Sequence, residues 1–231
     1  MNMQTFFSEI TALCRNEQFL HSVMEKYHYD PEEYPNLKRL AGEMIPCLET
    51  EAGWQDREIK ETFPGRDQSF LAVGITLGKG IDALQEKYLQ NGFLTESYMI
   101  EVLSSELLLE SYRAYTEWVV VHRNLHVARL HFLGGGEISE TSESQIGSLL
   151  RLANLPMLLQ ELALPVTCNA AYCMIPKKSV VFYAELTKDP FTKCAGICLG
   201  CGRRDCPNRP NRSLSYGYAR IFSKSTDENG R

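Results

Sequence analysis

The chain has 231 residues, 44% of them hydrophobic and 23% charged, so it can bury a substantial core and lacks the composition of a disordered protein. Its formal net charge of −5 argues against general nucleic-acid binding, which favours a basic surface. The N-terminal stretch lacks the basic flank and apolar core of a signal peptide, and no segment approaches the roughly 18 apolar residues of a membrane span. We therefore expect a cytoplasmic protein that binds neither nucleic acid nor membrane, with thiols that stay reduced.

The N-terminal part of the chain is predicted to be helical. Apolar residues recur at helical spacing over residues 3–26 and again over residues 36–51, so each stretch is predicted to form one amphipathic helix. Residues 56–67 are mostly polar and contain Pro64-Gly65, which indicates a loop or a short segment.

A buried strand and the longest helix are predicted next. Residues 69–77 (SFLAVGITL) are mostly apolar and partly β-branched, as in a buried strand. A helix that begins near Ile81 is expected to end at Asn91-Gly92, a common left-handed C-terminal signal. The following helix, through Leu107 and Trp118, has the longest periodic pattern and is predicted to be the spine of the core.

Two more strands are predicted in the second half. Residues 126–133 (HVARLHFL) partly alternate between apolar and polar residues, and residues 180–186 form an apolar run. A helix is expected over residues 146–162, interrupted near Pro156. The histidines around the first of these strands are predicted to be exposed rather than metal-bound, because no Cys or carboxylate stands at ligand spacing. They are His122, His126 and His131.

This order of helices and strands indicates an α+β protein. We predict an α+β domain over residues 1–190, followed over residues 191–231 by a small cysteine-rich lobe and a polar tail. Three glycines directly follow the strand at 126–133, namely Gly134, Gly135 and Gly136. Such a run lets the backbone approach a ligand closely, although it usually only makes a turn.

Four cysteines lie close together in the stretch CAGICLGCGRRDCPNR, with the spacing C-x3-C-x2-C-x4-C. They are Cys194, Cys198, Cys201 and Cys206. The small residues between them let the backbone direct several sulfurs at one centre, and thiolates suit zinc or an iron–sulfur cluster. We predict that the four thiolates share one metal centre. The alternative is a group of unmetallated loop thiols or a labile disulfide pair.

Four segments carry a resemblance to a known family. They are AVGITLGKGIDALQEKYLQNGFLTESYMIEVLSSELLLE, Arg129 with the glycines that follow it, TCNAAYCMIPKKSVVFYAEL and CGRRDCPNR, spread over residues 72–209. The second is similar to an arginine before a Gly-Tyr loop, the third to a Met-x-Pro-x-x-Ser segment, and the fourth to a Cys-x4-Cys-Pro-x-Arg ending. In this order they resemble the activation domain of cobalamin-dependent methionine synthase, especially its stand-alone bacterial relatives.

The resemblance implies a twisted antiparallel sheet flanked by helices. It also implies a methyltransferase-associated protein that binds S-adenosylmethionine and uses it to remethylate a corrinoid (vitamin B12) cofactor that has lost its methyl group and oxidised. By analogy, Arg129 would engage the carboxylate of this small-molecule ligand, and the backbone of Gly134, Gly135 and Gly136 would lie against its nucleoside or methionine portion. The chain has no Asp-x-His-x-x-Gly stretch, so the corrinoid is expected on a separate corrinoid-binding protein or cobalamin-dependent methyltransferase.

Two rival functions stay open from the residues. An iron–sulfur centre at the four cysteines would suit a redox protein that delivers electrons to a corrinoid methyltransferase system, because reactivation of the corrinoid starts with a one-electron reduction. A zinc centre would suit a zinc-stabilised interaction module, because arginines and tyrosines near the cysteines make this region locally basic and able to stack on a partner. The colour of anaerobically purified protein separates them, since an iron–sulfur protein is brown and a zinc protein is colourless.

Overall fold

A four-stranded antiparallel sheet lies at the centre of the computed structural model, which describes residues 3–58, 69–134, 145–192 and 194. The strands of the described residues, numbered along the chain, are β1 (Glu51–Glu58), β2 (Ser69–Thr76), β3 (His126–Phe132), β4 (Thr167–Cys168), β5 (Met174–Ile175) and β6 (Ser179–Thr187). The main sheet has the order β1-β2-β6-β3, and β4 pairs with β5 in a separate hairpin. In this sheet β1 and β3 are therefore the edge strands.

Helices cover both faces of the main sheet. Those of the described residues are α1 (Met3–Leu13), α2 (Glu17–Lys26), α3 (Tyr34–Met44), α4 (Lys79–Gln90), α5 (Leu94–Arg123), α6 (Gln145–Leu149) and α7 (Leu155–Glu161). Apolar residues of α1 to α5 pack on one face, and those of α7 pack on the other. The prediction of an α+β protein with an antiparallel sheet flanked by helices is confirmed.

Successive residues of β2 face two different hydrophobic cores. Leu71, Val73 and Ile75 belong to the main core with α1 to α5, whereas Phe70 and Ala72 belong to a second core with α7. This is the two-residue period of a strand that is covered on both faces. The predicted buried strand at residues 69–77 is confirmed, and the sheet is the middle of three layers.

The predicted spine of the core is α5, a helix of 30 residues. Leu107 on this helix is completely buried, and the rings of Tyr112 and Tyr115 meet Phe182 of β6 edge-on. The helix ends at Asn124, whose φ of 51° is in the left-handed region and whose N–H donates to a carbonyl of the last turn. This long helix therefore joins the helical layer to the sheet, as its apolar pattern predicted.

The single helix predicted over residues 3–26 is wrong, because the structure contains two helices there. Asn16 separates the two helices. Its backbone is extended, and its side-chain oxygen accepts a hydrogen bond at 2.9 Å from the N–H of Phe19. This is the geometry of an N-cap, which starts a new helix. The apolar stripe continues from α1 to α2, which explains why periodicity alone did not separate them.

The helix predicted over residues 36–51 ends earlier than expected, and residue 51, where the prediction ended, is the first residue of a strand. Helix α3 stops at Met44, and β1 then pairs with the whole length of β2, from Glu51 opposite Thr76 to Glu58 opposite Ser69. The predicted loop at residues 56–67 therefore begins with three strand residues. Likewise, the helix predicted over residues 146–162 is two short helices, α6 and α7, with Pro156 in the first turn of the second.

The described residues all belong to one compact unit, Met1–Cys194. The predicted cysteine-rich lobe at residues 191–231 lies almost entirely outside the described residues, so its boundary stays a prediction. No helix within the described ranges is both long and apolar enough to cross a membrane.

Candidate functional site

Arg129, the predicted carboxylate ligand, lies on the edge strand β3, and a β-bulge sets its direction. Val127 pairs with Leu186 and Arg129 pairs with Glu185, so Ala128 is an extra residue between two consecutive pairs. Residues two apart on a regular strand share a face, and Val127 faces the main core. The bulge turns Arg129 to the opposite face, where it is exposed. Without the bulge this arginine would point into the main core.

Glu185 and His131 accompany Arg129 on that face. Glu185 lies directly opposite Arg129 on β6, and its Oε2 atom is 3.0 Å from Nε2 of His131. The ring of Phe70 lies beside the imidazole, with the ring centroids 6.0 Å apart. His131 is only 9% exposed, so the prediction that it is exposed is wrong. After the bulge it shares the face of Arg129, and the sheet and the second helical layer enclose it.

Sequence reasoning identified Arg129 but missed Glu185 and His131 as its neighbours. One signal was available, since Glu185 is the single charged residue in the run VVFYAEL. A charge inside a buried strand needs a partner, because burial of an unpaired carboxylate is costly. The identity of that partner depends on the pairing of β3 with β6 and on the bulge, which no local pattern reports.

Gly134 begins the glycine run two residues after β3 ends. Its φ of 70° lies in the left-handed region that favours glycine, and its N–H donates to the carbonyl oxygen of Leu150 at 3.0 Å. Gly134 is five positions after Arg129 along mostly extended chain, a span of about 16 Å at roughly 3.3 Å per residue. The two therefore cannot contact the same small group, although an elongated ligand along β3 could meet both. Gly135 and Gly136 lie outside the described residues.

The segment that resembles Met-x-Pro-x-x-Ser is anchored to the main helical layer. The backbone N–H of Lys177 donates to Asp82 of α4 at 2.9 Å. Lys178 is buried, and its Nζ donates to Ser105 of α5 at 2.9 Å and also to Glu101. These contacts fix the entry of the chain into β6.

This segment lies at the same end of the sheet as the Gly134 turn. The last pair of β3 and β6 joins Phe132 to Phe182, and Ser179 begins β6 three residues earlier. Ser179 also bonds Thr76 of β2, with 2.8 Å between the hydroxyl oxygens. Of the segments that carry the family resemblance, the turn after β3 and the start of β6 are thus brought close, whereas Arg129 lies in the middle of β3.

Of the four predicted metal ligands, Cys194 is described, and Cys198, Cys201 and Cys206 lie outside the described residues. Cys194 is half-buried against the main core, and this burial raises the pKa of its thiol. No group of three or more His, Cys, Asp or Glu among residues 3–58, 69–134, 145–192 and 194 could hold a metal ion. A centre that includes Cys194 would thus take its other ligands from elsewhere in the chain, where the sequence predicts them.

No protein-family model matches the chain, and no curated protein matches it at a significant level. The family assignment therefore stays a resemblance carried by the segments around Arg129, Met174–Ser179 and the cysteines.

Proposed function

We propose that this protein binds S-adenosylmethionine along β3 and supports the reductive remethylation of a corrinoid that a separate protein holds. In this chemistry the methyl group passes to the corrinoid after the corrinoid has gained one electron, and S-adenosylhomocysteine is left. The protein would bind and orient the methyl donor. The corrinoid-binding protein or cobalamin-dependent methyltransferase is its expected partner.

The observation that carries this proposal is the direction of Arg129. A bulge on an edge strand turns this residue away from the main core to an exposed position, and a glycine turn follows two residues after the strand ends. A guanidinium binds a carboxylate through paired, charge-assisted hydrogen bonds. An elongated ligand with a carboxylate at one end can lie between Arg129 and the backbone at Gly134, and S-adenosylmethionine has that shape.

Replacing Arg129 with Ala is expected to weaken the binding of S-adenosylmethionine by about tenfold or more, because a hydrogen-bonded charge partner of the carboxylate is lost. Isothermal titration of the wild type and the variant measures this. Arg15→Ala is a matched control, since Arg15 is an exposed arginine that follows α1 in the helical layer. Equal affinities for Arg129→Ala and Arg15→Ala would show that the ligand binds elsewhere.

We also propose that Cys194, Cys198, Cys201 and Cys206 bind an iron–sulfur cluster or zinc. The thiolate donor chemistry of Cys194 fits either metal. An iron–sulfur centre would favour a second function, the delivery of the electron that reactivation requires. Absorbance in the visible region and iron content of anaerobically purified protein distinguish this from a zinc-stabilised interaction module.

A further inference from the structure

An exposed group of apolar side chains lies where α4 turns into α5. Of the ten large apolar side chains that are exposed in the described part of the chain, four fall within residues 89–98 and are each 47–64% exposed. They are Leu89, Phe93, Leu94 and Tyr98. Single exposed apolar side chains are ordinary on protein surfaces, whereas several close together often mark a binding surface.

This group extends onto the turn between α2 and α3 through Tyr29. The ring of Tyr29 meets that of Tyr98 edge-on, with the ring centroids 6.4 Å apart. Leu94 precedes Tyr98 by four residues on α5, so the two side chains lie on one face of the helix. Phe93 meets Tyr88 of α4 edge-on at 6.1 Å. We call the four exposed residues together with Tyr29 the apolar corner.

Backbone hydrogen bonds hold the apolar corner in shape. The N–H of Phe93 donates to the carbonyl oxygen of Tyr88 at 3.0 Å, and the N–H of Ser97 donates to that of Phe93 at 3.0 Å. Gly92 supplies the left-handed residue of the turn, with a φ of 79°. A surface that is ordered in this way loses little conformational entropy when a partner binds.

The two turns that form the apolar corner carry negative charge. Residues 27–36 and 88–98 contain four carboxylates and neither lysine nor arginine, and the four are Asp30, Glu32, Glu33 and Glu96. None of the four forms an ion pair with another described residue. Glu33 lies close to Tyr29, since burial, Tyr98 and then Glu33 raise the pKa of the Tyr29 hydroxyl.

The cations on the adjoining helices serve other carboxylates. Lys26 of α2 pairs with Glu106 at 2.7 Å, and Arg39 of α3 pairs with Glu43 at 2.6 Å. A hydrogen bond with Tyr88, then Arg39, and last Lys87 of α4 lower the pKa of Glu43, so both of these cations lie beside it. The apolar corner is therefore bordered by unpaired negative charge.

An apolar centre with a charged rim is the anatomy of a protein–protein interface. The negative rim opposes a second copy of this chain, which would bring the same charges, and it opposes an anionic membrane. It attracts a partner with positive charge. The ridge formed by Leu94 and Tyr98, four residues apart, is the kind that packs into the groove of another helix.

We propose that the apolar corner docks an amphipathic helix of another protein, one whose apolar side chains are bordered by lysine or arginine. This inference does not depend on binding of a methyl donor. The apolar corner belongs to the helical layer over the main core, whereas Arg129 lies on the opposite face of the sheet.

The probe is a fluorescent helical peptide of leucine and lysine, compared with the same peptide in which glutamate replaces every lysine. Fluorescence anisotropy with the full-length chain measures the binding of each peptide. We expect the lysine peptide to bind about tenfold or more tightly than the glutamate peptide. Its affinity should fall as salt is raised, because salt screens exposed charges.

Substitution of the apolar ridge tests the place of binding. Leu94→Ser combined with Tyr98→Ser should weaken binding of the lysine peptide by about tenfold or more, because the buried apolar area is lost. Val121→Ser is the control, since Val121 is also exposed and lies 27 residues further along α5, about 40 Å away at roughly 1.5 Å per residue. It should leave the affinity unchanged.

Substitution of the rim tests the charge preference. Glu32→Gln combined with Glu33→Gln should weaken binding of the lysine peptide, flatten its salt dependence and strengthen binding of the glutamate peptide. A gain in binding cannot come from a misfolded variant. Glu49→Gln combined with Glu51→Gln is the control, because the N–H of Glu49 donates to Leu77, at the opposite end of α4 from the apolar corner.

The contrary results are distinct. Equal losses in the corner variants and their controls would show a diffuse attraction to a chain of net charge −5 and would overturn the proposal. So would equal affinity for the two peptides, or no binding of the lysine peptide at millimolar concentration. In sedimentation, a dimer or an attachment to phosphatidylcholine vesicles that Leu94→Ser with Tyr98→Ser abolishes would place a second copy or a membrane on the corner, and either result overturns the proposal.

Discussion

Replacing Cys201 with Ser is expected to release the metal from the purified protein and to make residues 194–212 sensitive to protease, while the α+β unit stays folded. Four thiolates complete the shell of tetrahedral zinc and are also the usual complement of an iron–sulfur cluster. Serine is nearly the same size as cysteine but does not supply a thiolate. The stretch has few apolar residues, so metal binding would provide the energy that orders it.

Elemental analysis of anaerobically purified wild type and variant measures this effect. Cys173→Ser is a matched control, because Cys173 is an exposed free thiol of the β4–β5 hairpin, outside the predicted ligand set. We expect about one metal centre per chain in the wild type and in Cys173→Ser, and almost none in Cys201→Ser. If the wild type holds only a trace of iron or zinc, and reconstitution with metal does not raise this metal content, the prediction of a shared centre is contradicted.

Replacing Leu107 with Ala is expected to lower the free energy of unfolding by about 2–5 kcal/mol. Leu107 is 0% exposed and lies in the main core on α5, so the truncation removes buried methyl groups and leaves a cavity. Urea denaturation followed by circular dichroism measures the loss. Val121→Ala on the same helix is the control, since Val121 is 69% exposed and its truncation should change stability by less than about 0.5 kcal/mol. Equal effects of the two variants would contradict the assignment of α5 as the core helix.

The parts of the fold that sequence predicted well are those whose residues are buried by simple periodic patterns. Strand β2 is buried on both faces and α5 carries a long apolar stripe, so a short apolar run and a helical period identified them. The Asn91-Gly92 signal likewise marks the end of α4, where Gly92 has a φ of 79°. In these elements local preference and tertiary packing agree.

Strand β1 was missed because its own sequence, EAGWQDRE, is poor in strand-forming residues. Its conformation depends on pairing with the buried strand β2. Gly53 shows a further tertiary constraint: a Cβ atom built there would lie 2.3 Å from the carbonyl oxygen of Leu162, just after α7. A glycine inside a strand often marks such a close approach of another backbone. The sequence contains this glycine but does not show what approaches it.

The candidate site was predictable only in part. Arg129 and the glycines follow from the family resemblance, and the four cysteines from their spacing. The neighbours of Arg129 could not be predicted, because a one-residue bulge decides which face of β3 carries Arg129 and His131. Bulges depend on the pairing of two strands that are distant in sequence, here β3 and β6. The position of Arg129 opposite Glu185 is therefore a property of the fold.

The most direct measurement of the proposed function is methyl transfer from S-adenosylmethionine to an oxidised corrinoid. The wild-type protein would be mixed anaerobically with S-adenosylmethionine, a one-electron reductant and a cobalamin-dependent methyltransferase purified in its inactive, oxidised state. We expect methylated corrinoid and S-adenosylhomocysteine to form in equal amounts, only when this protein is present, and more slowly with Arg129→Ala. A corrinoid that stays unmethylated with the wild-type protein, with no S-adenosylhomocysteine formed, would contradict the proposed function.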